Sequence, residues 1–143
     1  MGAMFSNSSA GNNPGKGKSD SRPATILVVE DSKDTRNVLG FSLMKYGYKV
    51  VTAINGQEAV EVALRERPNI ILMDLNMPLM DGLTATERMR EHEELSKVPI
   101  LAVTAYDTYG MKEAAEAAGC DGYIKKPIDF NRLDTILRRI LSC

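Results

Sequence analysis

The feature that most limits this chain is a strict alternation, from Pro23 onward, of short uninterrupted apolar runs with amphipathic stretches. Ala24–Val29 (ATILVV), Ile70–Met73 (IILM) and Val98–Val103 (VPILAV) are continuous apolar runs, Thr25 apart, rather than apolar at every second position. A strand of that kind needs cover on both faces, which a parallel sheet between two layers of helices supplies. Tyr48–Ala53 and Tyr123–Lys125 are the remaining strand candidates. Between them, Asp34–Tyr46 sets Val38, Leu39, Leu43 and Tyr46 along one helical stripe and stops at Gly47. Asn55-Gly-Gln-Glu58 has the form of a capping box opening a helix through Glu66. Leu83–Glu93 and Lys112–Ala118 follow, the latter ended by Gly119. Asp129 caps a last helix that turns Leu133, Ile136, Leu137 and Ile140 inward. Alternating strands and helices over about 120 residues predict an α/β fold, an open doubly wound sheet with right-handed crossovers. In such sheets ligands bind beyond the carboxyl ends of the strands, so those ends are where chemistry is sought.

Composition removes several alternatives. The length of 143 residues suits one domain with a real core. A formal net charge of -1 gives no field that would recruit nucleic acid or an anionic membrane. No apolar run approaches the ~20 residues of a membrane span, and Met1–Phe5 lacks the core of a signal peptide, reading in part as a vector remnant. Cys120 and Cys143 have no metal-ligand spacing and read as a small core residue and a terminal thiol. A cytoplasmic protein is the expectation. Residues 1–22, rich in Gly, Ser, Asn and Lys, cannot bury enough surface to offset the entropy of ordering and are expected to be a disordered tail, with residues 23–143 as the domain. Lys16 and Lys18 belong to that solvated tail.

The strand ends carry a consistent set of polar residues. The first strand runs into Glu30-Asp31, the third into Asp74, the fourth into Thr104 and the fifth into Lys125-Lys126 before Pro127. If the first, third and fourth strands are neighbours, three carboxylates meet beside a hydroxyl and an ammonium. Carboxylates packed that closely repel by several kcal/mol at an intermediate dielectric, so protonation, a cation, or both must compensate. Lys126 supplies one charge, and a hard, oxygen-seeking Mg²⁺ supplies the rest. An ionised Asp beside Mg²⁺ and Lys can attack phosphorus to give an acyl phosphate, with Thr104 and Lys126 meeting the phosphoryl oxygens. On that reading, removing Glu30 and Asp31 together should relieve like-charge crowding and stabilise the metal-free fold.

Glu30-Asp31, Asp74, the Met-Pro-Leu-Met-Asp-Gly segment at 77–82, Thr104-Ala105 and Lys126-Pro127 together resemble response-regulator receiver domains of two-component signalling, across residues 24–142. The resemblance implies a flavodoxin-like (β/α)5 fold of the chemotaxis-regulator kind, with strand order 2-1-3-4-5. It implies Asp74 as phospho-acceptor, with Mg²⁺ (Mn²⁺ as a substitute) held by Glu30, Asp31, Asp74 and the backbone carbonyl of Asn76. Thr104 is then the switch hydroxyl, Ala105 the small residue that leaves the phosphoryl group accessible, and Tyr123 the aromatic switch partner. Lys126 stabilises the phosphoryl group, and Lys126-Pro127 is implied to be a cis peptide. Glu30 departs from the double-Asp form of many relatives, and its longer carboxylate still reaches a metal-bound water. The implied partners are a histidine kinase or histidine phosphotransfer protein upstream and a downstream protein target, read through helix 4, strand 5 and helix 5. The implied activity is self-catalysed phosphorylation and dephosphorylation, not turnover of a substrate.

Other readings are weaker. A haloacid-dehalogenase-type phosphatase also forms an aspartyl phosphate, but needs its nucleophile on the first strand with a second Asp two residues on. Here that strand ends Glu30-Asp31-Ser32-Lys33. A receiver blind to phosphate conflicts with the intact polar set. His92, in a Glu-rich helix end, and Lys125 read as solvated charges, while Tyr106 and Tyr109 read equally as surface aromatics or partner contacts. The Gly119–Tyr123 segment (GCDGY) lacks the adjacent-Asp form of regulators that dimerise on DNA, and no Arg lies between Thr104 and Gly119. The expectation is a monomer or weak dimer with protein contacts, no DNA-binding output domain and no membrane insertion.

Overall fold

A computed structural model describes residues 23–77, 81–105 and 110–142. The expectations for the 1–22 tail, for Pro78–Met80 of the 77–82 segment, and for Tyr106, Tyr109 and Cys143 lie outside the described residues.

The elements follow in the order β1 Thr25–Val29, α1 Lys33–Lys45, β2 Lys49–Ala53, α2 Gly56–Glu66, β3 Ile70–Asp74, α3 Gly82–Arg90, a 3₁₀ turn Glu93–Leu95, β4 Ile100–Thr104, α4 Met111–Ala118, β5 Gly122–Lys125 and α5 Phe130–Leu141. All pairings are parallel and the sheet order is β2-β1-β3-β4-β5, the order 2-1-3-4-5 that the resemblance implies.

Side chains alternate across each strand, so the continuous apolar runs feed two cores. Leu27, Val29, Ile71 and Met73 pack with Ala59 and Val62 of α2, Ala85 and Met89 of α3 and Ala115 of α4. Ile26, Val28, Ile70 and Leu72 pack with Leu39 and Leu43 of α1 and Leu133 and Leu137 of α5. Helices α1 and α5 therefore cover one face, and α2, α3 and α4 the other. The residues from Ile70 to Asp74 and from Ile100 to Thr104 are all buried, as central parallel strands require.

The helix starts rest on local chemistry. Asn55 Oδ1 accepts from the Glu58 N–H at 2.8 Å, and Glu58 Oε1 reaches back to the Ile54 N–H at 2.9 Å, one residue before the cap. Asp129 caps α5 by accepting from the Asn131 and Arg132 N–H groups. Gly119, at φ 115°, ends α4 in the left-handed region.

Two expectations change. Val38 is not on the buried stripe of α1: it is 55% exposed, while Leu39 is 4% and Leu43 1% exposed. The helix turns Leu39, Gly40 and Leu43 to the sheet and leaves Val38, Phe41 and Met44 on the solvent side. The third helix closes at Arg90 rather than Glu93, because buried Leu95 and the Arg90 hydrogen bonds to the Leu95 and Val98 carbonyls turn the chain into a 3₁₀ segment. Among the described residues no helix is long and apolar enough to cross a membrane.

Candidate functional site

Parallel register brings the strand ends together. Val29 pairs with Ala53 and Met73, Asp74 with Val103, and Thr104 with Lys125. The residues that follow β1 and end β3 and β4 therefore share one crevice at the carboxyl edge of the sheet, beside the β1/β3 switch point.

Glu30 continues β1, its N–H donating to the Ala53 carbonyl at 3.0 Å, and its side chain is 3% exposed. Its Oε1 accepts from Lys126 Nζ at 3.0 Å and its Oε2 from the Ser32 N–H at 3.1 Å. Asp31 is exposed beside it. Arg36, in the first turns of α1, donates to the Glu30 carbonyl at 2.9 Å and so fixes the loop that carries both acids. Asp74 ends β3, also 3% exposed, with Oδ1 accepting from the Asn76 N–H at 2.9 Å and Oδ2 3.7 Å from Lys126 Nζ. Thr104 is fully buried at the end of β4, and its hydroxyl donates to Asn76 Oδ1 at 2.6 Å. The Lys126 N–H donates to the Thr104 carbonyl at 2.8 Å, and the Lys126–Pro127 peptide is cis. Tyr123 lies on β5 opposite Ala102, half-buried against the α2–α3–α4 side, and Ala105 is exposed.

One ligand oxygen each from Glu30, Asp31 and Asp74 lies within 4.8 Å of the others. Three carboxylates face one ammonium, and the proton affinities of Asp74 and Glu30 move in opposite directions. Burial pushes the Asp74 carboxyl up, the Asn76 N–H offsets part of this and the Glu30 charge adds to it, leaving Asp74 at about 6. Burial also works on Glu30, but the Lys126 hydrogen bond and charge and the Ser32 N–H outweigh it and hold Glu30 below its ordinary value. Burial opposes the Lys126 charge, yet its hydrogen bond to Glu30 and the nearby Asp74 carboxylate hold the ammonium above its usual value. An all-oxygen donor set with more negative charge than its lysine offsets fits a hard divalent cation.

Two contributors escaped the sequence reading, and a third, Gly82, entered it only as the end of the 77–82 segment, without a structural role. Arg36 and the Asn76 side chain are polar residues with many possible roles until the fold fixes their partners. Gly82 opens α3 so close to β3 that a Cβ there would lie 2.4 Å from the Asp74 carbonyl oxygen. Its place after Asp81, which caps α3 by accepting from the Thr84 N–H, was the available signal.

A doubly wound parallel sheet with a buried aspartate, a paired glutamate and a lysine at its carboxyl edge defines an α/β module with an acidic crevice at its switch point. Residues 26–138 match the response regulator receiver domain family, and the chain belongs to it. It is 35% identical over 120 residues to the polar-differentiation response regulator DivK of Brucella anthropi, spanning 84% of this chain and 98% of that protein. It is 41% identical over 117 residues to hybrid signal transduction histidine kinase G of Dictyostelium discoideum, spanning 80% of this chain but 3% of that much longer protein. Among solved structures, Vibrio cholerae chemotaxis protein CheY4 superposes with a TM-score of 0.79 at 33% identity, covering 83% of this chain and 99% of that one. The receiver domain of sensor histidine kinase PA1611 from Pseudomonas aeruginosa, solved with a magnesium ion in its active site cleft, gives 0.78 at 37% identity, covering 83% and 98%.

Proposed function

We propose that Asp74 accepts a phosphoryl group from a partner histidine kinase or histidine phosphotransfer protein, and that the modified chain signals through the surface formed by α4, β5 and α5. The observation that carries this is the meeting of Glu30, Asp31 and Asp74 with Lys126 at one crevice, with Asp74 Oδ2 facing the ammonium at 3.7 Å. Glu30, Asp31, Asp74 and the Asn76 carbonyl would hold Mg²⁺, with Mn²⁺ as a substitute. Bound there, the metal supplies neutralisation of the phosphoryl oxygens. The chain's own residues do the remainder. The Asp74 carboxylate attacks phosphorus, the bond from phosphorus to the donor nitrogen breaks, and an acyl phosphate forms. Lys126 offsets charge on the incoming group, and its ion pair with Glu30 keeps the ammonium at the crevice.

Phosphorylation adds roughly two negative charges at a buried strand end. Thr104 then turns toward the phosphoryl group and Tyr123 follows into the space on its side of β5, which biases the α4–β5–α5 surface. The output is a protein contact rather than DNA binding, by a monomer or weak dimer in the cytoplasm. Residues 23–143 act as the receiver domain behind the 1–22 tail. Catalysis is limited to the chain's own phosphorylation and dephosphorylation.

The test is intact-mass analysis after incubation with acetyl phosphate and Mg²⁺. One added phosphoryl group is expected in the parent chain and none in Asp74→Asn. A phosphoryl adduct that persisted in Asp74→Asn would overturn the assignment.

A further inference from the structure

Asn76 touches both halves of the switch. Its main-chain N–H donates to Oδ1 of Asp74 at 2.9 Å, and its side-chain Oδ1 accepts from the buried Thr104 hydroxyl at 2.6 Å. A hydroxyl carries one proton and directs it to one strong acceptor at a time. Thr104 cannot donate to Asn76 and to a phosphoryl oxygen on Asp74 together. The two hydrogen bonds are alternatives, and they belong to the resting and the phosphorylated arrangements. We infer that the Asn76 carboxamide is a latch for Thr104, a positioning residue that holds the switch hydroxyl in its resting orientation and sets how readily it turns.

The inference rests on the roles given above to Asp74 and Thr104 and adds a competing acceptor to them. An ionised phosphoryl oxygen is a stronger acceptor than a neutral carboxamide, so phosphorylation draws the proton away from Asn76. Without phosphate the carboxamide wins. Asn76 lies at the exposed rim of the crevice while Thr104 is buried, so water competes for the carboxamide more than for the hydroxyl. The latch is therefore a bias and not a lock. A neutral hydrogen bond of this kind shifts an equilibrium roughly two- to tenfold.

The full chain is used for the test, in two measurements. In the unmodified protein, three-bond NMR couplings report the χ1 rotamer of Thr104. One rotamer is expected in the parent chain and in Asn76→Asp, which keeps an oxygen acceptor, and averaged couplings are expected in Asn76→Ala. Couplings left unchanged by Asn76→Ala overturn the latch. In the second measurement beryllofluoride is titrated with Mg²⁺ present. Asn76→Ala should bind it roughly two- to tenfold more tightly than the parent, and the same substitution in a Thr104→Ala background should change nothing. An equal shift in both backgrounds, or none in either, also overturns the latch. A parent chain that binds no beryllofluoride would sink the phospho-acceptor reading instead, and the couplings still decide the latch on their own.

Discussion

Glu30 and Asp74 compete for Lys126 and do not share it equally. The ammonium is 3.0 Å from Glu30 Oε1 and 3.7 Å from Asp74 Oδ2, so Glu30 is held in its charged form, while burial, with the Glu30 charge adding to it, pushes Asp74 up to about 6. Between pH ~4 and ~6 the folded chain keeps a proton on Asp74 that the unfolded chain has released, so metal-free stability from this group falls as pH rises through that window. Glu30 has the opposite sign: its contribution is present above its unfolded value and lost as pH falls through the depressed folded one. Asp74→Asn should therefore stabilise the metal-free chain at pH 7 by about 1–3 kcal/mol, with the gain shrinking toward zero at pH 4. Denaturant melts in chelator across that range check it, and a gain undiminished at pH 4 would refute the electrostatic origin. The same geometry revises the expectation that removing Glu30 and Asp31 together relaxes the metal-free fold. Glu30→Ala alone strips Lys126 of its nearer partner and should lower metal-free stability by about 1–3 kcal/mol in the same melts. The residues of the crevice were legible in the sequence as strand-end polar groups. Which acid holds the lysine was not, because Glu30 and Lys126 lie 96 positions apart and less than an ångström separates the two distances.

At the scale of elements, periodicity carried most of the fold. Continuous apolar runs marked the strands, and Asn55, Asp129, Gly47 and Gly119 marked helix boundaries before any packing was known. Helix α1 shows where that evidence stops. It carries two apolar stripes, and only the sheet decides that Leu39 and Leu43 are buried while Val38, Phe41 and Met44 are 55%, 63% and 49% exposed. Leu43→Ala should cost about 2–5 kcal/mol through the cavity it leaves. Phe41→Ala, although it removes a larger side chain, should change stability by less than about 0.5 kcal/mol. Thermal or denaturant melts of the two variants compare them directly, and a Phe41 cost equal to that of Leu43 would contradict the placement of α1 on the sheet.

Across the whole molecule the two ends of the sheet have separate tasks. The alternation of elements predicted parallel strands, but the sheet order came only through the family resemblance, since crossovers rather than local pattern decide which strands are neighbours. The carboxyl edge holds the acidic crevice of Glu30, Asp31 and Asp74. The opposite edge is held by Arg90, whose Nη1 donates to the Leu95 and Val98 carbonyls at 2.8 Å each, while Nε and Nη2 reach the Gly119 carbonyl and Nη2 the Asp121 carboxylate at 2.9 Å. Asp121 in turn accepts from the Ile100 N–H at 2.9 Å, so one guanidinium joins the end of α3, the 3₁₀ turn, the start of β4 and the end of α4. Gly119 is needed there for a second reason besides its φ, because a Cβ would lie 2.9 Å from Arg90 Cγ. From the sequence Arg90 is one more charge in a charged helix end, and nothing local announces partners 29 and 31 residues away. Lysine has neither the planar fork nor the five donors to satisfy these groups together. Arg90→Lys should accordingly lower the unfolding free energy by about 2–4 kcal/mol, since each carbonyl left without its donor costs about 1–3 kcal/mol when water cannot replace it. Beryllofluoride affinity in the folded variant should stay near that of the parent, because the crevice lies at the other end of the strands. Melts and a Mg²⁺-beryllofluoride titration of the same sample separate the two quantities, and a loss of affinity matching the loss of stability would show that the two edges are coupled after all.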